Sequence, residues 1–185
     1  MKKFIALALS LIMLLGCVSA VAETAAKESI TMMGAFSINY DKLPEGYTMN
    51  TIENTDMQYH SIIKSTDAAK PIIWLGIVFN DAYSEVKTLA DVDENTMAAI
   101  KDSFYNNGII EMDDGTIEFE DGKTGLGTPL LIAKAVEGEF GAVYTIYMGH
   151  EIELDFFHEG DAKVTEEDFN TVITFLTDVE FVPAK

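Results

Sequence analysis

The sequence predicts an α+β fold: an antiparallel β-sheet flanked by helices in an α/β/α sandwich. Three observations lead there. Strand-like segments bounded by turn residues follow one another in runs. Helical periodicity occurs only twice, in mid-chain and near the C-terminus, which is the order of an α+β chain. Pro71 to Phe79 is almost continuously apolar, as expected of a strand covered on both faces.

The first element is a targeting segment. Lys2 and Lys3 form a basic start, and Phe4 to Leu15 is an apolar run in which only Ser10 is polar. That run falls short of the roughly 20 residues a membrane span needs and fits the apolar core of a signal peptide. Two processing routes are open. Ala20-Val21-Ala22 before Glu23 fits a signal-peptidase site, whereas Leu14-Leu15-Gly16-Cys17 fits a lipobox in which Cys17 would carry a lipid. Residues 1–22 are therefore read as a signal peptide, 23–34 as a tether and the start of the first strand, and 35–185 as one domain.

In the domain, Ser29 to Tyr40 reads as the first strand, with Phe36, Ile38 and Tyr40 alternating against Ser37 and Asn39. Leu43 to Tyr47 is a turn, and Tyr59 to Lys64 and Pro71 to Phe79 are strands. Asp91 to Asn106 is the first helix, with Asp91 as its cap and Met97, Ile100, Phe104 and Tyr105 as its stripe. Ile109 to Asp121 suits a small hairpin around Asp114-Gly115, and Thr128 to Val136 suits a further strand. Gly141 to Met148 and Glu151 to Phe157 form a hairpin turning at Gly149-His150. One of its faces carries Val143, Thr145, Tyr147, Ile152, Leu154 and Phe156. Glu151, Glu153 and Asp155 line the other, with Tyr144, Ile146 and Met148. Thr165 to Asp168 opens a last helix with Phe169, Val172, Ile173 and Leu176 inward, and Phe181-Val182 makes a short final strand.

Several of these stretches together resemble the PsbP-like sandwich family of exported proteins and lipoproteins. They are Phe36 to Tyr47, the Leu89 to Asn106 helix, Tyr147 to Leu154 and the closing Thr165 to Phe181 segment; Tyr47 stands where many relatives carry Trp. The resemblance implies a non-enzymatic scaffold that serves larger assemblies, and it transfers no functional residues.

Composition narrows the chemistry. Taking 22 from 185 leaves 163 residues, enough for one core without staples. Cys17 is the only cysteine, so disulfides and thiol catalysis are excluded from the domain. The chain carries a formal charge of −19, about −21 without Lys2 and Lys3, and its twelve basic residues are all Lys. Such a surface repels nucleic-acid phosphate and anionic membrane, so the expected partner is a protein or a small neutral or cationic ligand. Membrane attachment would come only through a lipid on Cys17.

The candidate sites follow. Asp91-x-Asp93-x-Asn95 with Asp102 has calcium-loop spacing, but Thr96 occupies the position that needs Gly, and helix capping explains the same residues. Asp113, Asp114, Glu118, Glu120 and Asp121, with Glu111, form an acidic cluster that a hairpin tip would bring together as a divalent-cation site or simply as a solvated tip. His150 and His158 lie about 25 Å apart along one strand at roughly 3.3 Å per residue, too far to share a metal, and His60 sits elsewhere. Gly122 to Gly127 lacks phosphate-loop order and leads into a strand. Trp74, Tyr83, Tyr105, Tyr144 and Tyr147 supply aromatic anchors, with Tyr144 and Met148 expected on the surface as partner contacts. No nucleophile motif is present and no cofactor is expected. The sequence thus points to an exported non-enzymatic accessory or binding domain; a carboxylate-pair hydrolase and a divalent-cation module are the alternatives.

Overall fold

The computed structural model describes residues 28–32, 35–106, 116–135, 140–159, 162–177 and 179–183. The targeting segment, Cys17 and the Asp114-Gly115 turn lie outside the described residues. In chain order the elements are β1 (Glu28–Met32), β2 (Phe36–Tyr40), β3 (Tyr47–Asn54), β4 (Gln58–Ser65), β5 (Ile72–Phe79), α1 (Glu94–Asn106), β6 (Ile117–Lys123), β7 (Pro129–Ala135), β8 (Gly141–Tyr147), β9 (His150–Phe157), α2 (Glu166–Thr177) and β10 (Glu180–Pro183).

These elements form a sheet-rich fold, which corrects the expected α/β/α sandwich. One antiparallel sheet of seven strands runs β3-β4-β5-β9-β8-β7-β6, and a second of three runs β1-β2-β10. The helical content is too small to cover two faces. On one face of the large sheet, Tyr59, Ile63, Ile73, Leu75, Ile77, Ile152, Leu154 and Phe156 bury against the small sheet and the inner side of α2. Among the described residues, the other face is covered at one end, where Ile100 and Phe104 of α1 and Leu89 pack with Leu131, Ala133, Ala142, Tyr144 and Ile146.

The local misreadings have physical causes. The single strand expected over Ser29 to Tyr40 is two, β1 and β2, which pair as a hairpin and bury Ile30 and Met32. β3 escaped notice because few of its residues are inward, as befits an edge strand, and its register slips between Thr51 and Glu53. The Pro71 to Phe79 run is covered on one face only: Ile73, Leu75 and Ile77 are buried, while Trp74 and Val78 are 44% and 37% exposed. The central hairpin keeps its expected faces, but it turns at Met148-Gly149, so Tyr147 opposes His150. Both turn residues have positive φ, 50° and 78°, as a type I′ turn requires. Backbone bonds from Met148 and Gly149 to the carbonyls of Lys87 and Val86 hold Met148 in this conformation.

α1 begins later than expected. Asp93 accepts from the Thr96 amide at 2.8 Å as the cap, and Asp91 instead closes a capping box with Thr88 around a 3-10 turn. For α2 the expected capping box forms: Thr165 Oγ1 accepts from the Asp168 amide, and Asp168 Oδ2 accepts from the Thr165 amide. The same oxygen lies 3.0 Å from His158 Nε2, which ties the end of β9 to the helix. Burial disfavours the Asp168 anion, but the bonds from His158 and Thr165 outweigh it and hold the carboxyl below its ordinary range.

Two stability predictions follow from this packing. A Cβ on Gly141 would stand 2.3 Å from Phe156 Cζ and 2.7 Å from Phe169 Cζ, in the middle of the core. Gly141→Ala should therefore lose about 1–3 kcal/mol or more in urea denaturation. The depressed Asp168 carboxyl contributes stability above its unfolded value near pH 4, and that contribution disappears as pH falls through the lower folded value. Asp168→Asn should cost on the order of 1–3 kcal/mol at pH 7, and the gap to wild type should narrow at pH 3.

Candidate functional site

The sites anticipated from spacing do not assemble. Asp91 and Asp93 are consumed by two different caps, and Asp102 lies on α1. Asp113 and Asp114 lie outside the described residues. Glu120 opposes Ile132 and Asp121 opposes Leu131, so these two carboxylates leave opposite faces of β6. Glu118 shares the side of Glu120, which pairs with Lys134 at 3.1 Å. Among the described residues, no group of three His, Cys, Asp or Glu is placed to hold a metal.

The histidines separate as well. His150 is buried between Phe36 and Phe79, with Nδ1 2.9 Å from the Met148 carbonyl. His158 belongs to the α2 cap, and His60 lies on the partly covered face. Met148 is exposed in its turn, but Tyr144, expected on the surface, is only 5% exposed beneath α1. A hollow of about 490 Å³ lies between the 41–45 turn and α2, walled by Asp41, Pro44, Glu45, Glu167 and Phe175. Its polar walls, Asp41, Glu45 and Glu167, are exposed, while Phe175 belongs to the core.

A different constellation stands on the partly covered face, and β9 positions it. Because residues alternate along a strand, burying Ile152, Leu154 and Phe156 places Glu151, Glu153 and Asp155 on the opposite side. Across the sheet Glu153 stands between Gly76 and Tyr144, and Asp155 between Trp74 and Ala142. The next strand adds His60 beside Gly76 and Ile62 beside Trp74. A Cβ on Gly76 would meet only the His60 ring, at 3.6 Å, so the space beside Glu153 is open.

The electrostatics set this row apart. Burial raises the Asp155 carboxyl to about 8, and the neighbouring charge of Glu153 and a hydrogen bond to it act in the same direction. Burial and then the charge of Glu151 raise Glu153. Two carboxyls at hydrogen-bond range in a desolvated place hold a proton between them. The Tyr144 hydroxyl is buried as well, and desolvation, the charge of Glu151 and a hydrogen bond to Glu151 push it strongly up. Asn80 Nδ2 donates to Glu151 at 3.1 Å. Among the described residues, no lysine makes an ion pair with Glu151, Glu153 or Asp155. Alternation along the hairpin predicts all three carboxylates on one face; the neighbours on β5 and β4, which turn that face into a site, follow only from the strand order.

No family model matches the chain, and no curated protein matches it.

The raised Asp155 value carries a sign. An aspartate is near 3.9 unfolded, so between about pH 4 and 8 the folded protein binds the additional proton. That contribution to stability is complete below about pH 4 and is lost as pH rises through about 8. Asp155→Asn, which mimics the protonated form, should gain on wild type as pH goes from 5 to 8.5. Parallel urea-midpoint curves for the two proteins would show that the carboxyl is not raised.

Proposed function

We propose that this chain is an exported, non-enzymatic binding domain whose recognition face is the half of the large sheet that the described residues leave open. The carrying observation is Trp74, 44% exposed in mid-sheet beside the half-buried Glu153–Asp155 pair. Exposed aromatic and aliphatic side chains grouped around desolvated polar atoms are the composition of an interface centre. Val78 and Ile62 extend the apolar part toward β4 and β5, and the carboxyl row bounds it along β9. A carboxyl pair that costs stability at neutral pH also fits a site kept for its ligand. Export rests on the apolar segment and cleavage signals of residues 1–22. Among the described residues, no helix is long and apolar enough to cross a membrane.

The hydrolase alternative has one observation behind it, the same proton-sharing pair. Glycosidase carboxyls stand about 5–9.5 Å apart to admit substrate and water, further than two groups that share a hydrogen bond.

Affinity capture from extracytoplasmic fractions with wild type and Trp74→Ser tests the binding face. A partner retained by wild type and lost by the folded variant supports it. Equal capture by both proteins refutes it.

A further inference from the structure

The large sheet ends on two edges, and they are built differently. β6 is guarded: Glu118, Glu120, Asp121 and Lys123 charge most of its length. There the Tyr105 hydroxyl also donates to the Ile117 carbonyl and accepts from the Ile117 amide, each at 3.1 Å. β3, at the other edge, has eight residues, no proline and one charged side chain, Glu53. Its bulge lies between Thr51 and Glu53, so Tyr47 to Thr51 keeps a regular register. Long edges are ordinarily blunted by charge, proline or irregularity, because their free backbone groups recruit another strand. The apolar surface gathers on the same side. Four of the seven exposed large apolar residues among those described, Ile52, Met57, Trp74 and Val78, belong to β3, β5 or the turn from β3 to β4.

We propose that the Tyr47–Thr51 edge receives an extended segment of a partner protein as an added strand, uncharged at its centre and carrying lysines at its ends. This rests on the binding-face reading above, because the added strand continues the face that holds Ile62 and Trp74, and it adds how the partner is held.

The backbone fixes which atoms are offered. The Thr66 amide donates to the Gly46 carbonyl at 3.2 Å, and the Thr55 amide donates to the Gln58 carbonyl at 2.8 Å. Both bonds set the even-numbered residues of β4 against β3. By antiparallel alternation Thr48 and Asn50 then bond to β4, while Met49 and Thr51 turn their N–H and C=O outward. Among the described residues, no strand pairs with that side. Donors and acceptors at this spacing match the ladder of another strand, the mode of strand addition. The side chains divide in the same way. Met49 packs on the core and Thr51 Oγ1 lies 3.0 Å from Tyr59 Oη, whereas Asn50 opposes Ile62, which opposes Trp74. An incoming strand thus lays every second side chain beside Asn50 on the open face.

Charge complementarity selects the occupant. Tyr47 to Thr51 is neutral, Glu45 and Glu53 stand at its two ends, and the chain carries −19. In the turn before β3, Lys42 is balanced by Asp41, and Lys64, opposite Thr48, is already held by Glu159 at 2.6 Å. A second copy pairing antiparallel through its own β3 would bring another Glu45 and Glu53 to those ends. A strand ending in lysines meets them with opposite charge.

The probe is acetyl-Lys-Ser-Thr-Val-Thr-Val-Thr-Ser-Lys-amide, titrated into the isotope-labelled folded protein. It should shift the Met49 and Thr51 amide resonances saturably and slow their hydrogen exchange at least about tenfold, leaving the β6 amides unmoved. N-methylation of the central Val-Thr-Val keeps every side chain and charge but removes donors on both edges of the peptide, and it should abolish the shifts. Glutamate in place of both lysines should weaken binding at least about tenfold. Thr51→Pro removes an outward N–H and leaves the ladder to β4 in place, so the variant, shown folded by circular dichroism, should lose the peptide. Silence at Met49 and Thr51, binding of the N-methylated peptide, equal binding of the glutamate peptide or unchanged affinity of Thr51→Pro would each overturn the proposal. So would a dimer of the chain that Thr51→Pro dissolves. If the peptide is silent while Trp74→Ser still loses the captured partner, the face binds without strand addition. If both tests fail, the binding-face reading falls too.

Discussion

The structure depends on one strand with two incompatible faces. β9 lies at the centre of the seven-stranded sheet, paired to β5 on one side and β8 on the other. Its Ile152, Leu154 and Phe156 anchor the core shared by the large sheet, the small sheet and α2. Phe156 meets Phe169 of α2 edge to face at 4.7 Å, and Gly141 leaves the space that this contact needs. Strand geometry then leaves no choice for the intervening residues: Glu151, Glu153 and Asp155 are held at the sheet centre, away from any edge where water would solvate them fully.

What surrounds those carboxyls decides how far they are desolvated. On the β8 side, Tyr144 and Ile146 are roofed by α1, and Phe104 packs edge-on to Tyr144 at 6.0 Å. On the β5 side no helix lies among the described residues; Trp74 and Val78 meet solvent, and Gly76 contributes no side chain. The row therefore runs along the border between a covered and an uncovered half-sheet. A carboxyl on such a border is desolvated by one wall and still reachable from the other. That combination raises its proton affinity without closing it to a ligand.

Much of this was legible in the sequence wherever a local rule governs. The Thr165–Asp168 capping box, the inward stripe of α2 and the face assignment of the β8–β9 hairpin depend on spacings within a few residues. Those spacings carried over into the structure. The architecture did not, because it depends on long-range pairing. β10 joins β2 rather than extending the large sheet, and the two-residue turn at Met148-Gly149 is stabilised by the distant carbonyls of Lys87 and Val86. The apolar Pro71–Phe79 run misled for a specific reason. Complete apolarity is equally compatible with two buried faces and with one buried face plus a binding face, and sequence periodicity cannot distinguish them. Likewise the aromatic set named Trp74 and Tyr144 together, but it could not say which one a helix would roof.

The division of labour between those two aromatics gives the site its logic. Tyr144, buried at 5% exposure, fixes the covered wall and brings its hydroxyl to hydrogen-bond range of Glu151 in the acidic row. Trp74, across β9 from it, supplies the exposed wall. Were the helix to cover both, the carboxyls would be sealed and permanently neutral; were it to cover neither, they would ionise like any surface pair and hold no proton. Stopping the described cover at β8 desolvates the pair from one wall, which raises its proton affinity, while its other wall stays open.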